Sequence, residues 1–241
     1  AKAYRHYGLE AYRQMADRAA DYYISHFIDK KYGGVYWSLT AEGVTKNTTK
    51  QTYACAFGIY GLAEHFWATG DKRSLEAALS LYQTLETKVH DKAKAGYIEM
   101  FQRDYSRGTQ LGVDMQANAS KTMNTHIHVL EAYTTLYRVW PDEGLKANLK
   151  ALLEILSTKL YDQKRAHLIL YCDDDWKPVG EQEDSYGHDI ETSWLMCEAA
   201  AAVGDPELKA KVEAQAVKMA RPALDEGLNS EGAMRYEKTS K

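Results

Sequence analysis

The stretch Tyr53-Ala54-Cys55-Ala56-Phe57-Gly58-Ile59-Tyr60-Gly61-Leu62-Ala63-Glu64-His65-Phe66-Trp67-Ala68-Thr69-Gly70-Asp71 is apolar on nearly all sides of a helix and then breaks at Thr69-Gly70-Asp71. A helix that is apolar all round is buried. Asp71 is placed to N-cap the next helix. Residues 72–88 carry Leu75, Leu79, Tyr82 and Leu85 on one stripe, the pattern of an amphipathic helix with one wet face. The same unit recurs. Residues 122–139, the turn Trp140-Pro141-Asp142 and residues 143–160, with Leu149, Leu152, Leu153 and Leu156, form a second pair. Residues 187–203, Gly204-Asp205-Pro206 and 207–224 form a third.

Four short segments punctuate these pairs: Gly33-Gly34-Val35-Tyr36-Trp37, Gly96-Tyr97-Ile98-Glu99-Met100-Phe101, His167-Leu168-Ile169-Leu170-Tyr171 and Gly232-Ala233-Met234-Arg235-Tyr236, spaced 62 to 71 residues apart. Each comes after a turn-like stretch and reads as a small strand. The repeating unit is therefore buried helix, tight turn, amphipathic helix, short strand. Such pairs stack side by side and share a core, either as an open solenoid or as a two-layer ring. In a ring, the inner helices near 48–69, 121–139 and 187–203 would start around one central cavity. Residues 9–27 match an outer helix whose inner partner is reduced to a stub at Ala1–Tyr7. With about seven helices, the expectation is an all-α, incomplete toroid: one domain over 1–241, the middle of a longer protein.

Composition sets the outer limits. The 241 residues are 45% hydrophobic and 27% charged with net charge -4, which excludes wholesale disorder and gives no basic footprint for nucleic acid. No apolar run reaches the roughly 20 residues of a membrane helix, and the start has no apolar signal core. Cys55, Cys172 and Cys197 are odd in number and widely spaced, so they read as reduced core thiols of a cytoplasmic protein. Eighteen Tyr and 5 Trp against 4 Phe suit a wet, sugar-lined cavity, and equally a core in which Tyr replaces Phe.

Counting back from the turns places Tyr53 17 residues before Gly70, Asn124 17 before Pro141 and His188 16 before Gly204. All three fall in the first turn of an inner helix, where free N–H groups favour oxyanions. Asn124, His128 and Glu131 share one helix face, and His126 points elsewhere. Burying that much polarity has to be compensated, which marks the face as functional or as a satisfied polar core. His188 and Glu191 also face together. A carboxylate beside an imidazole raises its pKa and orients it, as in a general base, and equally as in a plain salt bridge. The spacings do not fit zinc. Asp173-Asp174-Asp175 lacks a calcium loop's later ligands and reads as a turn.

Residues Lys121-Thr122-Met123-Asn124-Thr125-His126-Ile127-His128-Val129-Leu130-Glu131-Ala132-Tyr133 and Tyr186-Gly187-His188-Asp189-Ile190-Glu191-Thr192-Ser193-Trp194, with Lys50-Gln51-Thr52-Tyr53-Ala54 and Gly33-Gly34-Val35-Tyr36-Trp37, resemble the cellobiose 2-epimerase branch of the N-acylglucosamine 2-epimerase superfamily. The resemblance implies an (α/α)6 barrel and a cofactor-free isomerase that inverts C2 of the reducing-end sugar of β-1,4-disaccharides such as cellobiose, lactose and mannobiose. It implies that His188 is a catalytic acid/base partnered by Glu191, and that His128 serves catalysis and substrate contact. It further implies that Asn124, Asp114 and Tyr53 touch the sugar. The family's first-helix arginine would precede Ala1, and its second catalytic histidine and stacking tryptophans would lie after Lys241.

The chemistry asks for a base on each face of a planar enediol and for donors to its oxygen. A chain holding one base is expected to be inactive or nearly so by itself, and to associate through uncovered end helices. Two other classes compete. A glycoside hydrolase would need two carboxylates about 5–10 Å apart, for which Asp114 and Glu191 are the candidates. A sugar-binding helical-repeat fragment would need no catalytic group. The expected partner is a disaccharide, with no metal, nucleic acid or membrane.

Overall fold

Asp71, Asp142 and Asp205 each start a helix by accepting a backbone N–H, from Arg73 at 3.0 Å, Leu145 at 3.0 Å and Leu208 at 3.2 Å. These caps satisfy donors that the first helical turn leaves unpaired. The structure, a computed structural model, describes residues 1–107 and 119–238. Among the described residues the helices are α1 (Lys2–Tyr7), α2 (Glu10–Tyr22), α3 (Thr52–Thr69), α4 (Lys72–Thr84), α5 (Met123–Val139), α6 (Glu143–Thr158), α7 (Tyr186–Val203) and α8 (Pro206–Asp225). α2 and α4 each run on into a π turn, Tyr23–Phe27 and Leu85–Val89. The expected stub is α1, a helix in its own right, which brings the number among the described residues to eight instead of about seven.

The chain divides into two compact units, residues 1–112 with 135–141, and residues 113–134 with 142–241. In the first, α3 packs on α4 through Cys55, Ala56, Ile59 and Leu62 on one side and Ala78, Leu81 and Leu85 on the other. α4 buries Ser74, Ala78, Leu81 and Tyr82, and Leu85 at the start of the π turn is buried beyond it; of the expected stripe Tyr82 and Leu85 are therefore buried, and Leu75 and Leu79 only half-buried. Small Ser74 and Ala78 allow close approach, and the Ser74 hydroxyl meets His65 Nδ1 at 2.7 Å. A side chain at Gly58 of α3 would collide with the Tyr23 hydroxyl, so the helices need glycine there. In the second unit, α7 packs on α8 and α6 through Leu195, Met196, Ala199 and Val203. The expected α6 stripe, Leu149, Leu152, Leu153 and Leu156, is fully buried.

The four punctuating segments share one construction. Asp29, Asp91, Asp162 and Asn229 each fold a turn by accepting backbone N–H groups with Oδ1: Lys31 and Tyr32, Ala93 and Lys94, Lys164 and Arg165, Glu231 and Ala233. The chain then doubles back in antiparallel bridges Ile28–Val35, His90–Tyr97, Tyr161–Leu168 and Leu228–Met234. The turn residue in the left-handed region is Gly33, Ala95, Ala166 and Gly232 in the four copies, with φ of 79°, 62°, 60° and 80°.

The strands are two or three residues long: β1 (Ser38–Leu39), β2 (Thr45–Asn47), β3 (Lys50–Gln51), β4 (Met100–Phe101), β5 (Lys121–Thr122), β6 (Tyr161–Asp162), β7 (His167–Leu168) and β8 (Tyr171–Cys172). A rule emerges from the pairing. The residues just before a helix of the α3, α5, α7 series pair with the strand that comes after the next punctuating turn: Lys50 with Phe101, Lys121 with Cys172, Asp184 with Lys238. In the first two copies the lysine is buried beneath an aromatic ring of the partner loop. Lys50 Nζ lies 5.9 Å from the Tyr105 ring and Lys121 Nζ 4.6 Å from that of Trp176. Tyr105 and Trp176 both have positive φ, 67° and 65°. The Lys50 charge is balanced by buried Asp29 at 2.9 Å, which Arg103 also binds at 2.9 Å.

Among the described residues no helix is long and apolar enough to cross a membrane. The three thiols are unpaired. Burial pushes Cys55 up to about 12 and Cys172 up to about 11, so both are inert thiols, whereas Cys197 is only half-buried.

Candidate active site

His128, His188 and the side chains around them belong to the second unit. β5 delivers the chain into α5, and Thr122 Oγ1 accepts the Thr125 N–H at 3.1 Å to start the helix. Lys121 is anchored by donating to the Asp174 carbonyl at 3.0 Å, and Ser120 Oγ donates to Asp174 Oδ1 at 2.7 Å. The Asp173-Asp174-Asp175 run is the turn expected of it, with Asp173 Oδ1 accepting the N–H groups of Asp175 and Lys177. This fixes the first turn of α5. Asn124 is exposed there. One turn on, buried His128 sets Nδ1 3.0 Å from Glu131 Oε2. His126 is turned away, fully buried, with Nδ1 2.6 Å from the Thr122 carbonyl and its ring against Trp176.

α7 begins at Ser185, and His188 and Glu191 lie on one face of it, both half-buried. The imidazole's hydrogen-bond partner is not Glu191. Ser185 Oγ lies 2.7 Å from His188 Nδ1, and Glu191 acts on the ring only through its charge. The expected rise in the His188 pKa is also reversed. Burial lowers it, and charge on nearby His128 lowers it further, outweighing the opposing pull of Glu191 and Asp189. His188 is therefore a neutral imidazole at pH 7, with a ring nitrogen available to take a proton.

The residue behind it, Asp189, is fully buried and secures the helix to β7. Its carboxylate accepts the Leu168 N–H at 3.0 Å and meets His167 Nδ1 at 2.7 Å. His167 Nε2 in turn faces Asp184 at 3.8 Å. Burial alone would lower the His167 pKa, but hydrogen bonding and charge from Asp189, with Asp184 and Glu226 beyond, raise it.

Ser185, Gly187, His188 and Glu191 line a cleft of about 400 Å³ whose other wall is Met234, Arg235 and Tyr236. Sequence reasoning missed Ser185, Arg235 and Tyr236 as site residues, although 232–236 stands out as a repeat. The signal was the strand-pairing rule, which sets the segment after the last turn beside the start of α7. Tyr53 belongs to the first unit, in the first turn of α3, with its ring 4.7 Å from that of Phe57. Asp114 lies outside the described residues. Among the described residues no group of three His, Cys, Asp or Glu side chains is placed to hold a metal.

The family model for N-acylglucosamine 2-epimerase (GlcNAc 2-epimerase) matches residues 1–240. The chain is 46% identical over 240 residues to a cellobiose 2-epimerase of Bacteroides fragilis, covering 98% of this chain and 60% of that protein. It is 32% identical to the cellobiose 2-epimerase of Dictyoglomus turgidum, over 95% of this chain and 58% of that one. The solved structure of cellobiose 2-epimerase from Bacillus thermoamylovorans superposes with a TM-score of 0.92 at 34% identity, covering 99% of this chain and 61% of the other. The chain thus spans about 60% of the length of the relatives it matches. The superposition bears out the all-α hairpin class expected of part of an (α/α)6 barrel.

Proposed function

The chain belongs to the N-acylglucosamine 2-epimerase family, and from that premise we propose that it carries the C2-epimerising half-site of a disaccharide epimerase, an isomerase acting on the reducing-end sugar of cellobiose and related β-1,4-disaccharides. The observation that carries this reading is His188: neutral at pH 7, on a cleft wall, with Nδ1 held by Ser185.

Inversion at C2 starts from the open-chain sugar, whose carbonyl acidifies the neighbouring C–H. His188 Nε2 takes the C2 proton, and the electron pair moves through a new C1–C2 double bond onto the carbonyl oxygen, giving a planar enediolate. The histidine, now an imidazolium, is stabilised by the charges of Glu191 and Asp189 that oppose its low pKa. The developing negative charge on oxygen calls for donors, and Asn124 and His128 are proposed for that role. Return of a proton to the other face completes the inversion and needs a second acid, which the family resemblance puts beyond Lys241. Tyr53 and Asp114 are proposed sugar contacts. The proposal includes one (α/α)6 domain of which residues 1–241 are the central portion, and a cytoplasmic setting consistent with three unpaired thiols.

Incubation with cellobiose and subsequent carbohydrate chromatography test the reaction class. Epimerase chemistry leaves the disaccharide mass unchanged. Release of glucose would overturn the proposal in favour of a hydrolase.

A further inference from the structure

Position 235 departs from the repeat. In each of the four punctuating segments the residue after the bridge donates its backbone N–H to the carbonyl before the bridge partner: Tyr36 to Phe27 at 2.9 Å, Ile98 to Val89 at 3.2 Å, Ile169 to Leu160 at 2.9 Å and Arg235 to Gly227 at 2.7 Å. The backbone site is the same four times, and the side chain is not. Ile98 is buried, Tyr36 and Ile169 are half-buried, and Arg235 is an exposed cation. It stands in the copy that walls the His188 cleft, with Glu191 on the other wall. Among the described residues neither the Arg235 guanidinium nor the Glu191 carboxylate has a hydrogen bond or an ion pair, and the two do not pair with each other across the cleft.

We infer that Arg235 is a substrate-binding residue whose guanidinium donates to two neighbouring hydroxyl oxygens of the bound sugar. This rests on the reading of the cleft as the disaccharide site. A guanidinium presents several N–H donors in one plane and no acceptor, so it matches a pair of adjacent oxygens where an ammonium is a single point charge. An ionised carboxylate offers acceptors only. Donors on one wall and acceptors on the other suit a neutral polyhydroxyl ligand, because each hydroxyl both donates and accepts. An anion would be repelled by Glu191 and a cation by Arg235. The fold does not need the arginine, since isoleucine occupies the same backbone site in two other copies. Arg235 holds the sugar and moves no proton.

The test is an NMR titration of the 241-residue chain with cellobiose, on the wild type, Arg235→Ile and Arg235→Lys, with thermal unfolding of all three. Arg235→Ile places the side chain of the other copies in this one and should unfold at the wild-type temperature or above. It should bind cellobiose about tenfold more weakly, the loss expected on removing a charge-assisted hydrogen bond. Arg235→Lys keeps the charge without the fork and should fall between the two. Wild-type affinity in folded Arg235→Ile, or a wild type that does not bind cellobiose, would overturn the inference. Should Arg235→Ile not fold, Arg235→Lys decides, and wild-type affinity there would overturn it. The readout is binding without turnover. A failure of His188 as base, seen as undiminished C2 exchange in His188→Asn, is therefore separable from a failure of Arg235 as a sugar contact.

Discussion

Asp189 and His167 form a buried pair, Oδ2 to Nδ1 2.7 Å apart, that ties the first turn of α7 to the strand β7. Asp189 adjoins His188 in sequence, so the helix turn that presents the candidate base is pinned one residue behind it. Breaking such a pair leaves an uncompensated charge in the interior.

His167→Leu should therefore destabilise the chain by about 3–5 kcal/mol at pH 6. The sign of the pH dependence comes from the raised His167 pKa. The contribution is complete below the ordinary histidine value of about 6.5 and is lost as pH rises through the higher folded value. Urea unfolding of wild type and variant across pH 5 to pH 9 should show the gap narrowing toward alkaline pH. A gap that widens there would refute the assignment.

Asp29 gives the opposite sign. Burial pushes its pKa up, but hydrogen bonds from Arg103, Lys50 and two backbone N–H groups hold it well below the usual carboxylate range. Its contribution is present above about pH 4 and disappears as pH falls through the folded value. Asp29→Asn should cost about 3–5 kcal/mol at pH 7 by leaving Lys50 buried beside a neutral amide. Adding Lys50→Met should recover a good part of that loss, as measured by thermal unfolding.

Ala95 and Ala166 occupy the left-handed turn position that is glycine in the other two copies of the repeat. A side chain there costs roughly 1–2 kcal/mol, partly offset by the lower unfolded-state entropy of alanine. Ala95→Gly and Ala166→Gly should each stabilise by about 0.5–1 kcal/mol. Unchanged or lower unfolding midpoints would contradict this.

Much of this architecture is legible in the sequence. The apolar run of α3 ends at Gly70 and the amphipathic α4 comes next, and the turns before α6 and α8 lie where Pro141-Asp142 and Gly204-Asp205 put them. Hydrophobic period and caps are local signals. The features that are not legible depend on partners far along the chain. The buried face of α4 includes Ser74, which meets His65, while Leu75 and Leu79 are only half-buried, and nothing in the local pattern reports that partner. The sign of the His188 shift is set by burial, which spacing to Glu191 cannot report. The turn-forming Asp29, Asp91, Asp162 and Asn229 stand a few residues before each bridge partner, but an isolated Asp or Asn is too common in loops to mark a turn until its backbone partners are seen.

Glu191→Gln isolates the electrostatic part of the site. Glu191 raises the His188 pKa against burial, so its neutralisation should lower the midpoint further while His128 and Asp189 act as before. The base then stays unprotonated to lower pH, and the acid limb of the C2 exchange profile should move down. An acid limb moved upward would show that Glu191 does not act on His188 in this way.

His188 as the group that takes the C2 proton is the step on which the proposed inversion turns. The decisive measurement is deuterium incorporation at C2 of cellobiose in D2O, read by proton NMR on the 241-residue chain and on His188→Asn, with sugar binding measured on both. The prediction is incorporation by the wild type, for which one base suffices even where inversion is not completed, that falls to background in His188→Asn while binding persists. Equal incorporation by the two proteins, or none by a wild type that binds the sugar, would contradict it.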